Sequence, residues 1–155
     1  MAIQNILVLQ PNGTLIFSKD YHSIKESPSI ISGFLTAIDS FAQSIGAGTQ
    51  IQTIETDEYK FVGDISKKYK IKFIVICEKD DDINQAKILL NSIKRSFITK
   101  FNKDLRRKNP FNDLNKFNNW EENLDRLVNR SELSSFETVV SETLKDLKKI
   151  FKKID

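Results

Sequence analysis

The fold of this chain is decided at its start, where two apolar runs flank a short polar turn. The stretch is Ile3-Gln4-Asn5-Ile6-Leu7-Val8-Leu9-Gln10-Pro11-Asn12-Gly13-Thr14-Leu15-Ile16-Phe17. Proline presets the φ angle of a turn, Asn and Gly tolerate positive φ, and the flanking runs are rich in β-branched residues. The stretch therefore predicts a β-hairpin with strands over about residues 3–9 and 14–19.

An amphipathic helix is predicted directly after the hairpin. Ser29 is a candidate N-cap, and Gly46-Ala47-Gly48 is a candidate stop. The apolar residues between them recur at helical spacing: Ile30, Ile31, Phe34, Leu35, Ile38, Phe41, Ala42 and Ile45. They cover more than a narrow stripe, so burial of one helix face leaves others available for contact.

Strands and then helices are predicted for the rest of the chain. Apolar alternation predicts strands within about residues 49–55, 59–62 and 71–77. Helices follow over about residues 82–107, 117–128 and 132–154, with Asn109-Pro110 ending the first of them. This order predicts an α+β fold, in which a five-stranded, mostly antiparallel sheet lies between one helix and two or three C-terminal helices. We expect residues 1–130 to form the domain and residues 131–155 to form an amphipathic helix packed on it.

Composition limits the classes of function. A length of 155 residues, 39% hydrophobic and with 11 Phe, fits one domain. The net charge of +3 argues against nucleic acid as the main partner, and membrane contact is expected only peripherally or through a partner. The single Cys77 lies in an apolar run, which predicts an unreactive core thiol and a cytoplasmic protein. We expect no leader, and no apolar run of the sequence reaches membrane-spanning length.

The sequence contains no pattern that indicates catalysis, a cofactor or a metal site. His22 is the only histidine, so a multi-histidine metal site is impossible, and we expect a surface histidine there. Asp80-Asp81-Asp82 lacks the spacing of a calcium loop and is better explained by helix capping. Gly46 and Gly48 are not followed by the Lys-Ser/Thr of a phosphate loop. We therefore predict that the protein is not an enzyme.

The chain resembles a longin domain. The resemblance covers roughly the first 130 residues and lies in the first strand, the Asn12-Gly13 turn, Leu15-Ile16-Phe17 with Tyr21, residues 32–38, and Tyr59-Lys60-Phe61. Residues 118–120 and 124–127 match the helical tail of such chains. Roadblock and profilin domains usually begin with a helix, so a strand starting at Ile3 favours longin. A longin SNARE is disfavoured because the last helix is short and lacks a central polar Gln or Arg layer.

What the resemblance implies is a noncatalytic adaptor or scaffold in a small-GTPase-regulating or vesicle-trafficking complex. The implied partners are another longin- or roadblock-type protein, a small GTPase, or both. Formation of a homodimer is a further alternative. In longin relatives, a groove between the first helix and the adjacent edge strand receives partner segments. By position, Leu35, Phe41, Ile51 and Ile54 border that groove here, with core packing as the alternative for each.

Two basic stretches support an alternative function. One runs over residues 94–108 and the other over residues 145–153. Phosphates of nucleic acid or of an anionic membrane are the contacts that such stretches favour, and the candidate contact residues are Lys103, Arg106, Arg107 and Lys108. A solvated helix face is the plainer explanation of the first stretch, and docking on the domain is the plainer explanation of the second.

Overall fold

The computed structural model describes residues 1–22, 27–48 and 52–154. The strands are β1 (Ile3–Leu9), β2 (Leu15–Asp20), β3 (Thr53–Glu55), β4 (Tyr59–Ile65) and β5 (Lys72–Glu78). The helices are α1 (Pro28–Ser44), α2 (Ile83–Leu105), a 3₁₀ helix (Asn115–Trp120) and α3 (Glu121–Ile154).

The five strands form one antiparallel sheet in the order β2-β1-β5-β4-β3. The hairpin turn between β1 and β2 is closed by Gly13 N, which donates to the carbonyl of Gln10 at 2.9 Å. Asn12 Oδ1 accepts from Thr14 N at 2.9 Å, as expected for an Asn turn. The predicted hairpin and the predicted fold class are both confirmed.

An aromatic cluster fills the space between the sheet and α2. The Phe97 ring lies between 4.9 and 5.5 Å, centroid to centroid, from the rings of Phe73, Phe101, Phe117 and Trp120. We call these five residues the aromatic core. All are buried, and the indole nitrogen of Trp120 donates to Ser96 Oγ at 3.0 Å, so burial leaves that donor satisfied.

A smaller core lies on the opposite face of the sheet, under α1. Side chains of β1 and β5 alternate between the two faces, so Ile6 and Val8 point toward α2 while Leu7 and Leu9 point toward α1. The α1 core consists of six buried residues: Leu7, Leu9, Ile31, Leu35, Ile74 and Ile76. The result is three layers, with α1 on one face and α2, the 3₁₀ helix and the start of α3 on the other.

The N-cap of α1 is Ser27. The predicted N-cap, Ser29, is wrong. Ser27 Oγ accepts from Ile30 N at 3.3 Å, and Pro28 occupies the start of the helix. Proline suits that position because its φ is already helical and its missing N–H has no partner there. The Ser-Pro pair therefore places the N-cap two residues before Ser29.

The two C-terminal helices predicted by the sequence are one helix. No glycine or proline occurs between Glu121 and Ile154, so nothing ends α3 near residue 130. In its last part, the side chains that are described, from Val139 to Lys153, are all exposed. The sheet face on that side is already covered by α2, the 3₁₀ helix and the first turns of α3.

Candidate partner-binding surface

α1 is held firmly against the sheet. Ile31 and Leu35 enter the α1 core, and Lys72 of β5 forms a largely buried ion pair with Asp39 in the middle of the helix. At the hairpin, Gly13 has a φ of 88°, and a Cβ added there would overlap the Thr36 side chain. Glycine thus allows both the turn and the close approach of the turn to α1.

The outward face of α1, together with its C-cap residue Ile45, carries a row of exposed apolar side chains. Ile30, Phe34, Phe41 and Ile45 are each 60–62% exposed, and we call them the α1 stripe. Because an α-helix turns by about 100° per residue, the four residues fall within an arc of about 60°. They extend about 22 Å along the helix. Single exposed apolar residues are ordinary, but a contiguous row is typical of a binding surface.

Charge is nearly absent from this surface. Asp39 is the single charged residue between Pro28 and Ser44, and its carboxylate is paired with Lys72. The α1 stripe therefore has little electrostatic attraction for phosphate or for a strongly charged partner. Its chemistry suits an apolar protein surface.

The predicted groove residues are placed differently by the structure. Leu35 is buried in the α1 core, while Phe41 is exposed and belongs to the α1 stripe. Ile54 is half-buried on the edge strand β3 and lines a cavity of about 10 Å³ with Leu35, Phe61 and Ile74. That volume holds about one water, so the space is too small for a partner side chain. Ile51 lies outside the described residues.

Sequence reasoning missed Ile30, Phe34 and Ile45 as candidate contacts, although it listed all three as apolar positions of the helix. Two apolar rows share the helical period on α1, and the row containing Ile31 and Leu35 is the one against the sheet. The clue in the sequence was the width of the apolar face, which is greater than the packing against one sheet requires.

The basic residues near the end of α2 do not form one free surface. Lys103, Arg106, Arg107 and Lys108 are exposed, but Lys94 binds Asp64 at 2.6 Å. Lys100 donates to the carbonyl of Asn119 at 2.9 Å and to Asn123 at 3.0 Å. The exposed four cluster around the C-terminus of α2, where positive charge stabilises the helix dipole. This placement supports the interpretation of residues 94–108 as a solvated helix face.

The residues considered as candidates for catalysis or metal binding show no arrangement suited to either role in the part of the chain that the structure describes. His22 is exposed, and Asp82 caps α2 by accepting from Asn84 N at 2.8 Å. Burial raises the pKa of the Cys77 thiol to about 11, which disfavours the reactive thiolate. Over residues 1–22, 27–48 and 52–154, no group of three His, Cys, Asp or Glu side chains is positioned to hold a metal ion.

In the part of the chain described by the structure, no helix has the length and apolarity needed to cross a membrane.

The comparisons with known proteins concern the fold. No protein-family model and no curated protein matches this chain. Among solved structures, it is similar to a chain of the mammalian SRP receptor, with a TM-score of 0.57 and 14% identity over 86% of this chain and 98% of that one. A Roadblock/LC7 domain from Streptomyces avermitilis gives a TM-score of 0.47 at 12% identity, over 65% of this chain and 86% of that one. The gliding protein MglB from Thermus thermophilus gives 0.40 at 13% identity, over 56% and 68%.

The likeness to the SRP receptor chain spans nearly all of that chain and most of this one. Together with the antiparallel sheet between α1 and the C-terminal helices, it shows that this protein has a longin-like fold.

Proposed function

We propose that this protein is a noncatalytic longin-type interaction module, which acts as a cytoplasmic adaptor or scaffold in a small-GTPase-regulating or trafficking complex. The observation that carries the proposal is the α1 stripe: four large apolar side chains, exposed in a row on a helix that is fixed to the sheet. A rigid apolar surface of this kind loses little conformational entropy when a partner covers it.

The longin-like fold supports the class of partner. The resemblance to longin domains implies that partner segments bind beside the first helix, and the α1 stripe lies on that helix. A small GTPase, or another longin- or roadblock-type protein, is therefore the partner that we infer. A second copy of this chain is the remaining occupant of the same surface.

The low charge of the α1 stripe distinguishes this proposal from the alternative of a basic phosphate-binding module. Binding through the uncharged α1 stripe depends weakly on salt, whereas binding of nucleic acid through lysines and arginines weakens steeply as salt rises. The salt dependence of complex formation is thus a simple discriminator.

An affinity capture experiment tests the proposal. Tagged full-length chain and the variants Phe34→Asp/Phe41→Asp and Ser40→Asp are incubated with extract of the source cells at two salt concentrations, and bound proteins are identified by mass spectrometry. Ser40 is exposed on the same helix but outside the stripe, so Ser40→Asp controls for a negative charge added to this helix, one charge against the two of the double variant. We expect a small GTPase or a longin- or roadblock-type protein with the wild type and with Ser40→Asp, and its loss with the double variant.

Light scattering on the same purified proteins tests self-association. If a second copy covers the stripe, the wild type is a dimer and Phe34→Asp/Phe41→Asp is a monomer. Failure to retain any protein of the inferred classes, combined with a monomeric wild type, would overturn the proposal.

A further inference from the structure

The second half of α3 leaves the domain as an exposed helix. The first half packs against α2, and a cavity between the two helices is lined by Gln85 and Leu89 of α2 and by Leu127 and Arg130 of α3. From Val139 to Lys153, every side chain is exposed. We call residues 139–153 distal α3, and at 1.5 Å per residue it is about 22 Å long.

The apolar side chains of distal α3 occupy one broad face. They are 39–66% exposed: Val139, Val140, Leu144, Leu147, Ile150 and Phe151. With about 100° between successive residues, these six cover an arc of about 140°. Thr143 lies within that arc, and its hydroxyl donates to the carbonyl of Val139 at 2.9 Å, so this donor does not require water.

The opposite face is rich in lysine. Lys145, Lys148, Lys149, Lys152 and Lys153 also span about 140°, and they do not interrupt the apolar arc. Glu142 and Asp146 are the acidic residues of the segment, so five lysines face two carboxylates. A broad apolar face opposite a polar face with an excess of lysines over carboxylates is the pattern of a helix that lies in the interface of an anionic membrane.

A coiled coil with a second copy explains the pattern less well. Such a seam uses two positions in seven, here Val140 and Leu147 with Leu144 and Phe151, and leaves Val139 and Ile150 in water. The flanking position occupied by Lys148 finds Thr143 opposite it in a parallel pair, and Thr143 carries no negative charge.

We propose that distal α3 binds the surface of an anionic phospholipid membrane, with its apolar face inserted among the acyl chains and its lysines against the headgroups. The apolar burial and the attraction of the lysines act together, so neither alone is enough for stable binding. The lysine stems extend from the helix toward the headgroup region while their ammonium groups stay hydrated. This site is separate from the α1 stripe, and the inference does not depend on the proposed function.

Vesicle co-sedimentation with the full chain tests the inference. The vesicles contain either phosphatidylcholine alone or phosphatidylcholine with about one third phosphatidylserine, at low and at physiological salt. We expect at least a tenfold preference for the anionic vesicles. Leu144→Gln/Leu147→Gln, which weakens insertion, and Lys148→Glu/Lys149→Glu/Lys152→Glu, which removes the attraction, are each expected to reduce binding at least tenfold.

Arg106→Glu/Arg107→Glu/Lys108→Glu is the matched control, because it changes the same amount of charge on exposed residues near the end of α2. Its binding is expected to stay within twofold of wild type. A second measurement uses Phe151→Trp: quenching by brominated lipid reports insertion of that residue, whereas the buried Trp120 stays unquenched.

Four results would overturn the inference. The first is no binding to anionic vesicles at low salt. The second is binding that the control variant abolishes and the distal α3 variants do not. The third is concentration-dependent dimerisation of the wild type that Leu144→Gln/Leu147→Gln removes, without vesicle binding, since this result assigns distal α3 to a second copy. The fourth is binding of the wild type to RNA, lost in Lys148→Glu/Lys149→Glu/Lys152→Glu, without vesicle binding, since this result assigns the lysines to a nucleic acid.

Discussion

The two faces of the sheet are covered in different ways. Among the described residues, 21 buried hydrophobic side chains form the core on the α2 side, and six form the core under α1. α2 turns most of its large apolar residues inward and leaves Ile88 exposed, whereas α1 divides its own between the α1 core and the outward α1 stripe. We infer that the α2 face supplies most of the stability of the domain. α1 packs only part of its apolar surface on the sheet and leaves the rest as a recognition surface.

Truncation in the aromatic core is expected to have the largest effect on stability. Phe97 contacts four aromatic rings and is fully buried, so Phe97→Ala loses both the transfer free energy of the ring and the packing around a new cavity. We expect the free energy of unfolding to fall by about 3–5 kcal/mol, measured by urea denaturation. A loss below 1 kcal/mol would mean that the α2 face does not supply the main core.

Truncation under α1 sharpens the comparison. Leu35→Ala removes a buried side chain from the smaller core, which is bounded by a single helix that can relax toward the sheet. We expect a loss of about 2–3 kcal/mol, at the lower end of the range for such substitutions. The same denaturation measurement applies, and a loss larger than that of Phe97→Ala would reverse the assignment of the two faces.

The contact between the hairpin turn and α1 is tested by Gly13→Ala. The positive φ of Gly13 and the overlap with the Thr36 side chain both oppose a methyl group there. We expect a loss of about 1–2 kcal/mol in thermal or chemical unfolding. Adding Thr36→Ala is expected to recover the steric part and to leave the part that comes from φ. A neutral Gly13→Ala would show that the turn does not hold α1.

Most of the layered fold can be predicted from the sequence because turn residues and apolar periods act locally. The hairpin follows from Pro11-Asn12-Gly13, and β5 follows from the apolar run that ends at Cys77. β4 continues past Val62 to Ile65, although Gly63 and Asp64 interrupt its apolar pattern, because the strand pairs with β5 through Ile65 and Lys72. That pairing is a long-range contact, which a local pattern does not contain.

The candidate site was less predictable for a different reason. On α1, Ile30 and Ile31 are neighbours in sequence, and both fit a helical apolar row, yet one is exposed and the other is buried. Which row packs on the sheet depends on the register set by Ser27, Pro28 and the Lys72–Asp39 ion pair. In α3, the absence of a helix-ending residue is visible in the sequence. The exposure of distal α3 is not, because it depends on how much of the sheet α2 already covers.

Titration of the purified partner against Phe34→Asp/Phe41→Asp tests the central claim most directly. Both side chains are exposed, so we expect the free energy of unfolding to stay within about 1 kcal/mol of wild type. The dissociation constant is expected to rise at least 100-fold, since two large apolar contacts of a binding surface are lost, while Ser40→Asp stays within twofold. A folded double variant that binds the partner as tightly as wild type would contradict the assignment of α1 as the recognition surface.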